Sequence, residues 1–321
     1  MRIVRHLEEI AETVPCSLAL GAFDGLHRGH MAVIHAAAAP APGKQGLETG
    51  GPGGPPWEPA VFTFESSPSG NSSVATQQDK EKLLEAAGMR RMYSMDFSQV
   101  KDLEAEDFVR RVLLEKCRAR RLCCGEDFRF GRGARGNVEL LSRLCREAGA
   151  ELYVAPPVLD GGEKVSSTRI RAAVEAGDIP LANRLLGRPF GYALEVIHGN
   201  HIGTGLGAPT INQAIPPHFV QPRFGVYASW ARVGGRYFYG VTNIGVKPTV
   251  GSDRVLSETW LPEFSGDLYG KRVRLFLLEF IRPEKKFSSL LELKEEIGKN
   301  ARQAKAVAKA FPPPYFGLEK P

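Results

Sequence analysis

The sequence predicts an α/β N-terminal domain with a parallel sheet, followed by a small antiparallel β-barrel and a C-terminal helix. Three observations support this prediction. The chain has 321 residues, of which 43% are hydrophobic, and this is enough for two cores. Strand-like and helix-like patterns alternate in the first half, whereas short alternating segments fill the second half. The composition changes near residues 186–191, so we expect domains at residues 1–187 and 188–321.

The first half contains apolar runs typical of buried strands, separated by segments with helical periodicity. We expect strands at residues 17–23, 60–64, 92–97, 120–125 and 151–156. We expect helices at residues 30–39, 80–87, 105–117 and 138–148. Strands separated by helices of this length form a parallel sheet with right-handed crossovers. Residues 41–59 are too rich in glycine and proline to pack, and we expect a mobile loop there.

The second half contains segments in which apolar and polar residues alternate, with turn residues between them. These segments are residues 192–198, 225–233, 236–245 and 273–281. The pattern is typical of a small antiparallel barrel. A helical pattern over residues 288–310 then closes the domain, and we expect the tail from residue 311 to be frayed.

Composition excludes several classes of protein. The longest apolar stretch, Val273 to Ile281, is short and contains Arg274 and Glu279, so no membrane span is expected. The N-terminal segment is acidic where a signal peptide needs an apolar core, which predicts a cytoplasmic protein. The five cysteines form no CxxC pair, so neither a disulfide framework nor a zinc site is indicated. The sequence gives no indication of the oligomeric state.

The formal charge of +6 is concentrated in two arginine clusters. We expect the first, Arg118, Arg120 and Arg121, to lie on a solvated helix face. The second, Arg129, Arg132 and Arg135, lies among glycines and is expected on a loop, where it would suit a phosphate-bearing partner. Neither forms an extended stripe with interleaved aromatic residues, so no nucleic acid is predicted as a partner.

The segment GAFDGLHRGH, residues 21–30, places His27 and His30 three residues apart where a buried strand ends. A turn at Gly25 and Gly29 would put both imidazoles above the carboxyl end of a parallel sheet, where such sheets bind ligands. The free N–H groups and dipole of the following helix favour an anion such as a triphosphate. The histidines could neutralise charge on phosphoryl oxygens. No partner residues at zinc-ligand spacing follow, and the remaining alternative is two ordinary surface histidines.

The pattern GxFDGxHxGH resembles the signature of the Rossmann-like HxGH nucleotidyltransferases, which join a nucleotidyl group to a phosphate and expel pyrophosphate. The resemblance implies a nucleotide-binding role for Gly21, Phe23, Asp24, Gly25 and Gly29. A second segment, KVSSTRIR at residues 164–171, resembles the SSTxIR element of the same superfamily. It implies that Lys164, Ser167, Thr168 and Arg171 bind the nucleotide phosphates.

Composition alone gives this second segment a simpler reading. Ser167 or Thr168 is a suitable helix N-cap, and the alternative to phosphate binding is a plain capped helix with solvated arginines. Two glycine patterns, GRGARG at residues 131–136 and GTGLGA at residues 203–208, fit GxGxxG. We reject both as dinucleotide-binding turns, because the first lies late in the sheet and the second runs into a proline.

The resemblance then narrows to one family. The run CGEDFRFGRGARG, residues 124–136, is similar to a loop of the bacterial bifunctional riboflavin kinase/FMN adenylyltransferases, as are GLGAPTINQ, NIGVKPTVG and SETWLPEFSGDLYG in the second half. The similarity covers nearly the whole chain. It implies two ATP-dependent steps, riboflavin to FMN in the barrel and FMN to FAD in the α/β domain. Riboflavin, FMN and ATP are the expected partners, and Asp127 would face the nucleotide or flavin.

The same resemblance implies the residues of the kinase half. Thr210 and Asn212 would bind Mg²⁺ with ATP, Gly207 and Pro209 would contact ATP, and Glu258 would take the proton from the ribityl hydroxyl. From composition alone, residues 209–212 could be an ordinary turn and Glu258 an exposed strand residue. No Walker A loop is present, so the kinase activity is expected from the resemblance alone.

Two segments depart from the family pattern. Ser66 and Ser67 replace the proline and histidine of FxPHP, and GNHIGTGLGAPT, residues 199–210, has threonine and alanine where the family places a basic residue and phenylalanine. Two alternatives to the bifunctional enzyme therefore stay open. One alternative is an enzyme in which only one of the two halves is active. The other is a non-enzymatic flavin or nucleotide sensor that keeps the fold.

Overall fold

A computed structural model describes residues 1–39, 57–198, 210–249 and 252–311. The chain divides into two compact units, residues 1–71 with 80–165 and residues 72–79 with 166–321. Most of the predicted loop at residues 41–59, all but the last residue of the glycine segment at residues 199–210, and the tail from residue 312 lie outside the described residues. The predicted boundary between residues 187 and 188 stays a prediction, although residues 166–187 pack with the second unit.

The first unit is built on a six-stranded sheet in which every neighbouring pair is parallel. Its strands are β1 (Arg2–Val4), β2 (Cys16–Leu20), β3 (Glu58–Phe64), β4 (Arg91–Met95), β5 (Ala119–Gly125) and β6 (Glu151–Ala155). A small antiparallel hairpin follows, β7 (Leu159–Asp160) and β8 (Glu163–Lys164). The sheet order is β1-β4-β3-β2-β5-β6, so the predicted parallel sheet is confirmed and its order reverses between β2 and β5.

Helices cover both faces of this sheet. They are α1 (Arg28–Ala38), α2 (Gln77–Ala86), α3 (Ala105–Asp107, followed directly by a π-helical stretch, Phe108–Lys116) and α4 (Val138–Glu147). On one face Leu18, Phe62 and Leu122 pack with the π-helical stretch and α4. On the other face Ala19 and Val61 pack with residues of α1 and α2. Successive residues of a strand thus pack into the cores on the two opposite faces of the sheet. Because both faces are buried, the strands appear in the sequence as largely apolar runs.

The first arginine cluster is not on a helix, and that prediction is wrong. The helix ends at Cys117, because Arg118 adopts a left-handed φ of 54°, and Arg120 and Arg121 lie in β5. The Arg121 side chain is buried, with Nε 2.9 Å from Glu151 Oε2 and a bond to the carbonyl oxygen of Ala39 at the end of α1. A guanidinium at a helix C-terminus is favoured by the helix dipole.

The second unit is built on six antiparallel strands. They are β9 (Gly191–Glu195), β10 (Thr210–Ala214), β11 (Gly225–Val233), β12 (Arg236–Thr249), β13 (Ser252–Trp260) and β14 (Arg272–Arg282), in the order β10-β13-β12-β11-β14-β9. The two end strands meet, since Ile197 N donates to Asn212 O and the Gln213 side-chain amide donates to Leu194 O. The predicted barrel is therefore confirmed as a nearly closed one.

The described residues of this unit form three helices: α5 (Ser167–Ala176), α6 (Ile179–Leu186) and α7 (Leu290–Ala310). The C-terminal helix α7 was predicted, and its Ala304 and Ala308 pack on the outer face of the barrel against Ala228 and Phe276. Asn183 of α6 joins the barrel through its side chain, which accepts from Phe190 N at 2.6 Å and donates to Leu277 O at 3.3 Å.

None of the helices in the described part of the chain is both long and apolar enough to cross a bilayer. The five cysteines are free thiols, and all are buried.

Candidate active sites

The loop between β2 and α1 has an unusual backbone. Phe23 and Leu26 have left-handed φ values of 49° and 44°, and Gly25 between them has a φ of 77°. A left-handed conformation costs a non-glycine residue roughly 1–2 kcal/mol. Both side chains are fully buried in the core between the sheet and α1, and this burial offsets the strain. Strain of this kind concentrates where a backbone must present functional groups.

His27 and His30 emerge from this loop at the start of α1. His27 is the N-cap residue, and its Nδ1 accepts a hydrogen bond from His30 N at 3.2 Å. A neutral His27 therefore carries its proton on Nε2, which can donate to a ligand. The rings stack with their centroids 3.6 Å apart, and Phe23 meets His30 edge-on at 5.4 Å. His27 is 5% exposed, so the alternative of two surface histidines does not describe this pair.

Two of the predicted glycines are needed for close packing around these rings. A Cβ at Gly29 would lie 3.2 Å from His27 Cε1 and 3.6 Å from the carbonyl oxygen of Val165. A Cβ at Gly21 would lie 3.1 Å from the Phe23 ring. The structure thus brings the start of the second motif, KVSSTRIR, against the first motif.

Asp127 lies on the loop that follows β5, and Lys164 ends β8 in the hairpin that follows β6, at the edge of the sheet where the histidine loop follows β2. Lys164 Nζ is 3.0 Å from Asp127 Oδ2 and 3.4 Å from Glu126 Oε1. Partial burial acts to lower the pKa of Lys164, but the hydrogen bonds to Asp127 and Glu126 and their negative charges have a larger effect, so the pKa is raised overall. On the same edge of the sheet, Arg28 Nη1 is 3.3 Å from Asp160 Oδ1. Arg28, in the first turn of α1, and Lys164 are thus cations that each pair with a carboxylate at this edge of the sheet.

Lys80 of α2 is a residue of this region that the sequence reasoning missed. Its Nζ donates to the carbonyl oxygens of Ala22 at 2.7 Å and Phe64 at 2.9 Å. Burial lowers the pKa of Lys80 to about 7, although the nearby negative charge of Asp24 acts in the opposite direction and raises it. The signal was present, because Lys80 shares the apolar helix face of Leu83, Leu84 and Ala87.

The second motif begins α5 one residue earlier than predicted. The N-cap is Ser166, whose Oγ accepts from Arg169 N at 3.3 Å, so the prediction of Ser167 or Thr168 as the cap is wrong. Ser166 is the last residue with extended backbone, with a φ of −147°, and the next two residues are already helical. Arg171 Nη2 is 3.4 Å from Thr168 Oγ1. Lys164 closes the first unit, whereas Ser167, Thr168 and Arg171 belong to the second.

In the barrel, strand register places three polar residues in one row. Glu258 on β13 is paired with Asn212 on β10 and with Asn243 on β12. Directly opposite residues share a face of the sheet, with Cβ atoms roughly 4.5–5.5 Å apart. Their neighbours Ser257 and Thr259 are fully buried inside the barrel, so the row lies on the outer face.

The metal ligands predicted for this unit lie on that same face. Thr210 begins β10 two residues before Asn212, and the buried Asn212 Oδ1 has no hydrogen-bond partner among the described residues. Glu258 is half-buried on its strand. Gly207 and Pro209 lie outside the described residues.

The remaining sequence features have local roles. Ser66 and Ser67 lie in a turn after β3, where Ser67 Oγ is 2.9 Å from Ser69 Oγ. In GRGARG, a Cβ at Gly131 would lie 2.6 Å from Ala105 Cα, and a Cβ at Gly136 would lie 2.6 Å from the Phe130 ring. Close packing thus accounts for these two glycines.

A histidine pair at the switch point of a parallel sheet, and a barrel that carries a half-buried carboxylate, fit a two-part transferase of phosphorus-containing groups. The FAD synthetase family model matches residues 9–169, and the riboflavin kinase family model matches residues 186–308. The chain belongs to the bifunctional riboflavin kinase/FMN adenylyltransferase family. It is a transferase that performs the two steps from riboflavin through FMN to FAD.

Relatives match over the full chain. The bifunctional riboflavin kinase/FMN adenylyltransferase of Escherichia coli (strain K12) is 31% identical, with 100% of both chains covered. That of Pseudomonas fluorescens is 34% identical, covering 96% of this chain and 98% of its own. Among solved structures, the macrolide-efflux protein from Streptococcus pneumoniae has a TM-score of 0.82 at 26% identity, covering 94% of this chain and 98% of its own.

Proposed function

We propose that His27 and His30 carry FMN adenylylation, and that Thr210, Asn212 and Glu258 carry riboflavin phosphorylation. The observation that supports the first assignment is the hydrogen bond that His27 Nδ1 accepts from His30 N. In a neutral imidazole the proton is then on Nε2, which acts as a donor at the N-terminus of α1.

In the adenylyl half, the ATP triphosphate binds at the N-terminus of α1, where the helix dipole and backbone N–H groups favour an anion. A phosphate oxygen of FMN attacks the α-phosphorus, and pyrophosphate leaves. The imidazole N–H groups donate to the phosphoryl oxygens as charge develops on them. Residues of the histidine loop contact the nucleotide, namely Gly21, Phe23, Asp24, Gly25 and Gly29. The second motif binds the phosphates through Lys164, Ser167, Thr168 and Arg171, and Asp127 faces the nucleotide or flavin.

In the kinase half, Glu258 accepts the proton of the ribityl hydroxyl, so that this oxygen attacks the γ-phosphorus of ATP. The outer-face row holds Glu258 between two amides, Asn212 and Asn243. Gly207 and Pro209 contact ATP. Mg²⁺ fits Thr210 and Asn212, because the buried Asn212 Oδ1 has no partner in the described part of the chain and magnesium prefers oxygen ligands. When bound, the ion neutralises phosphate charge.

The small molecules riboflavin, FMN and ATP are the proposed partners, with neither nucleic acid nor membrane involved. We place the enzyme in the cytoplasm, and the five buried free thiols support a reducing compartment. The proposed domains are an FMN adenylyltransferase domain at residues 1–187 and a riboflavin kinase domain at residues 188–321, and the start of the riboflavin kinase match at residue 186 supports this division.

Reciprocal variants test the two-site assignment. His30→Ala should lower FAD formation from FMN about 10²- to 10³-fold, the usual effect of removing one donor to the transition state, and leave FMN formation unchanged. Glu258→Gln should block FMN formation from riboflavin while FMN supplied directly is still adenylylated. His35→Ala, an exposed histidine on the same helix, is the matched control.

Products are separated by chromatography after incubation with ATP and Mg²⁺. Equal loss of both activities in either variant would contradict the assignment of two sites. FMN without FAD from the unaltered protein would favour an enzyme with one working half. Flavin binding with neither product would favour the sensor.

A further inference from the structure

The Ala22 carbonyl oxygen, directly before the strained histidine loop, accepts two hydrogen bonds from side chains. Lys80 Nζ donates at 2.7 Å and Thr63 Oγ1 at 2.9 Å. The next residue is Phe23, with its left-handed φ of 49°. Both donors are buried, Lys80 at 7% and Thr63 at 0% exposure. Two donors on one carbonyl fix the orientation of the peptide plane from which the loop starts.

Lys80 also ties this loop to the neighbouring strand. The same ammonium donates to the carbonyl oxygen of Phe64, the last residue of β3, at 2.9 Å. The ends of two adjacent strands are therefore joined through one buried cation, with Asp24 as its nearby opposite charge. A lysine is rarely buried unless its charge is paired and its protons are bonded, so this position has a specific purpose.

We propose that Lys80 is a positioning residue for adenylyl transfer, which anchors the Ala22 and Phe64 carbonyls and thereby fixes the loop that presents His27 and His30. Thr63 supports the same carbonyl from β3. The proposal depends on the function assigned above to the histidine pair. Lys80 acts through the backbone of the loop and does not itself touch the reacting atoms.

The test is Lys80→Met, which keeps the length of the side chain and removes the ammonium. We expect kcat for FMN adenylylation to fall about 10²-fold, the effect of a misplacement of about 1 Å at a reacting group. KM for FMN should stay within about twofold, and KM for ATP should change much less than kcat, because the loop residues that contact the nucleotide are displaced but retained. Lys82→Met, an exposed lysine on the same helix, should leave both parameters unchanged.

Thr63→Val is a second, nearly isosteric variant that removes only the other bond to Ala22. We expect about a tenfold lower kcat, again at constant KM. The double variant should lose less than the product of the two single effects, because both bonds hold one carbonyl. Riboflavin phosphorylation, measured in the same preparations, should be unchanged in all variants.

The outcomes separate this inference from the function on which it depends. If His30→Ala abolishes FAD formation while Lys80→Met and Thr63→Val retain kcat within about threefold, the inference alone fails. If Lys80→Met raises KM at constant kcat, Lys80 binds substrate directly and the positioning role is wrong. If His30→Ala retains full FAD formation, the function assigned to the pair fails as well.

Discussion

Replacing Gly29 by alanine should separate the chemistry of the adenylyl site from the stability of the fold. Gly29 lies between the two histidines in the first turn of α1. A Cβ there would lie 3.2 Å from Cε1 and 3.3 Å from Nδ1 of His27, closer than a relaxed van der Waals contact. The imidazole must therefore shift by a few tenths of an ångström, and Nδ1 is the atom that accepts from His30 N.

The expected magnitudes differ for stability and for rate. Alanine in place of glycine in a helix stabilises by roughly 0.5–1 kcal/mol. A weakened N-cap costs a similar amount, about 0.5–1 kcal/mol. The free energy of unfolding should therefore change by less than about 1 kcal/mol. A shift of about 1 Å at a catalytic group costs about 10²-fold, so a few tenths should lower kcat for FAD formation roughly 5- to 10-fold.

The assay compares FAD formation from FMN, FMN formation from riboflavin, and urea unfolding for the same variant. Gly298→Ala in α7 is the matched control, since its added Cβ would meet nothing closer than Arg302 Nη1 at 3.7 Å. That variant should gain stability and keep both activities. An unchanged kcat for FAD formation in Gly29→Ala, or an equal loss of FMN formation, would refute the reasoning.

Two further predictions concern burial in the two units. Burial raises the pKa of Cys124 to about 12 and that of Cys145 to about 11, so a thiol reagent at pH 8 should label none of the five cysteines until the protein is denatured. In the unfolded chain these thiols ionise near pH 9, so above that pH the unfolded chain binds fewer protons than the folded protein. The free energy of unfolding should therefore fall between pH 9 and 11. A free energy of unfolding that stays constant over this range would contradict the prediction. Asn183→Ala leaves Phe190 N and Leu277 O without their partner and should cost about 2–4 kcal/mol in urea unfolding, whereas a cost below about 1 kcal/mol would show that water replaces the amide.

The sequence was sufficient to predict both architectures but not every strand. The parallel strands β2, β3 and β4 are buried on both faces and appear as largely apolar runs, which made them recognisable. Strands β10 and β13 were missed because polar residues face the barrel interior. Gln213, Ser257 and Thr259 are fully buried there. The hydroxyl of Thr242 bonds those of Ser229 and Thr259 at 2.8 and 2.9 Å, so these three hydroxyls are satisfied inside a core.

The sequence predicted which residues belong to the candidate sites, but not the hydrogen bonds that hold those residues in place. The two motifs located His27, His30 and Lys164 because loops at one edge of a parallel sheet converge. The role of Lys80 depends on the carbonyl of Ala22, 58 residues away along the chain, and no local pattern encodes such a contact. The tautomer of His27 likewise depends on a hydrogen bond that only the folded N-cap forms.

The two sites differ in the physical feature that holds their residues, and this difference predicts how each responds to mutation. The histidine loop depends on strain balanced by burial and by side-chain bonds to carbonyls, so residues that never touch substrate control it. The Asn212, Glu258 and Asn243 row depends on strand register alone. A single substitution leaves the other two residues of the row in place. A one-residue deletion in β13 before Glu258 would instead turn this carboxylate toward the apolar and hydroxyl-lined interior, and so remove the kinase base without changing its identity.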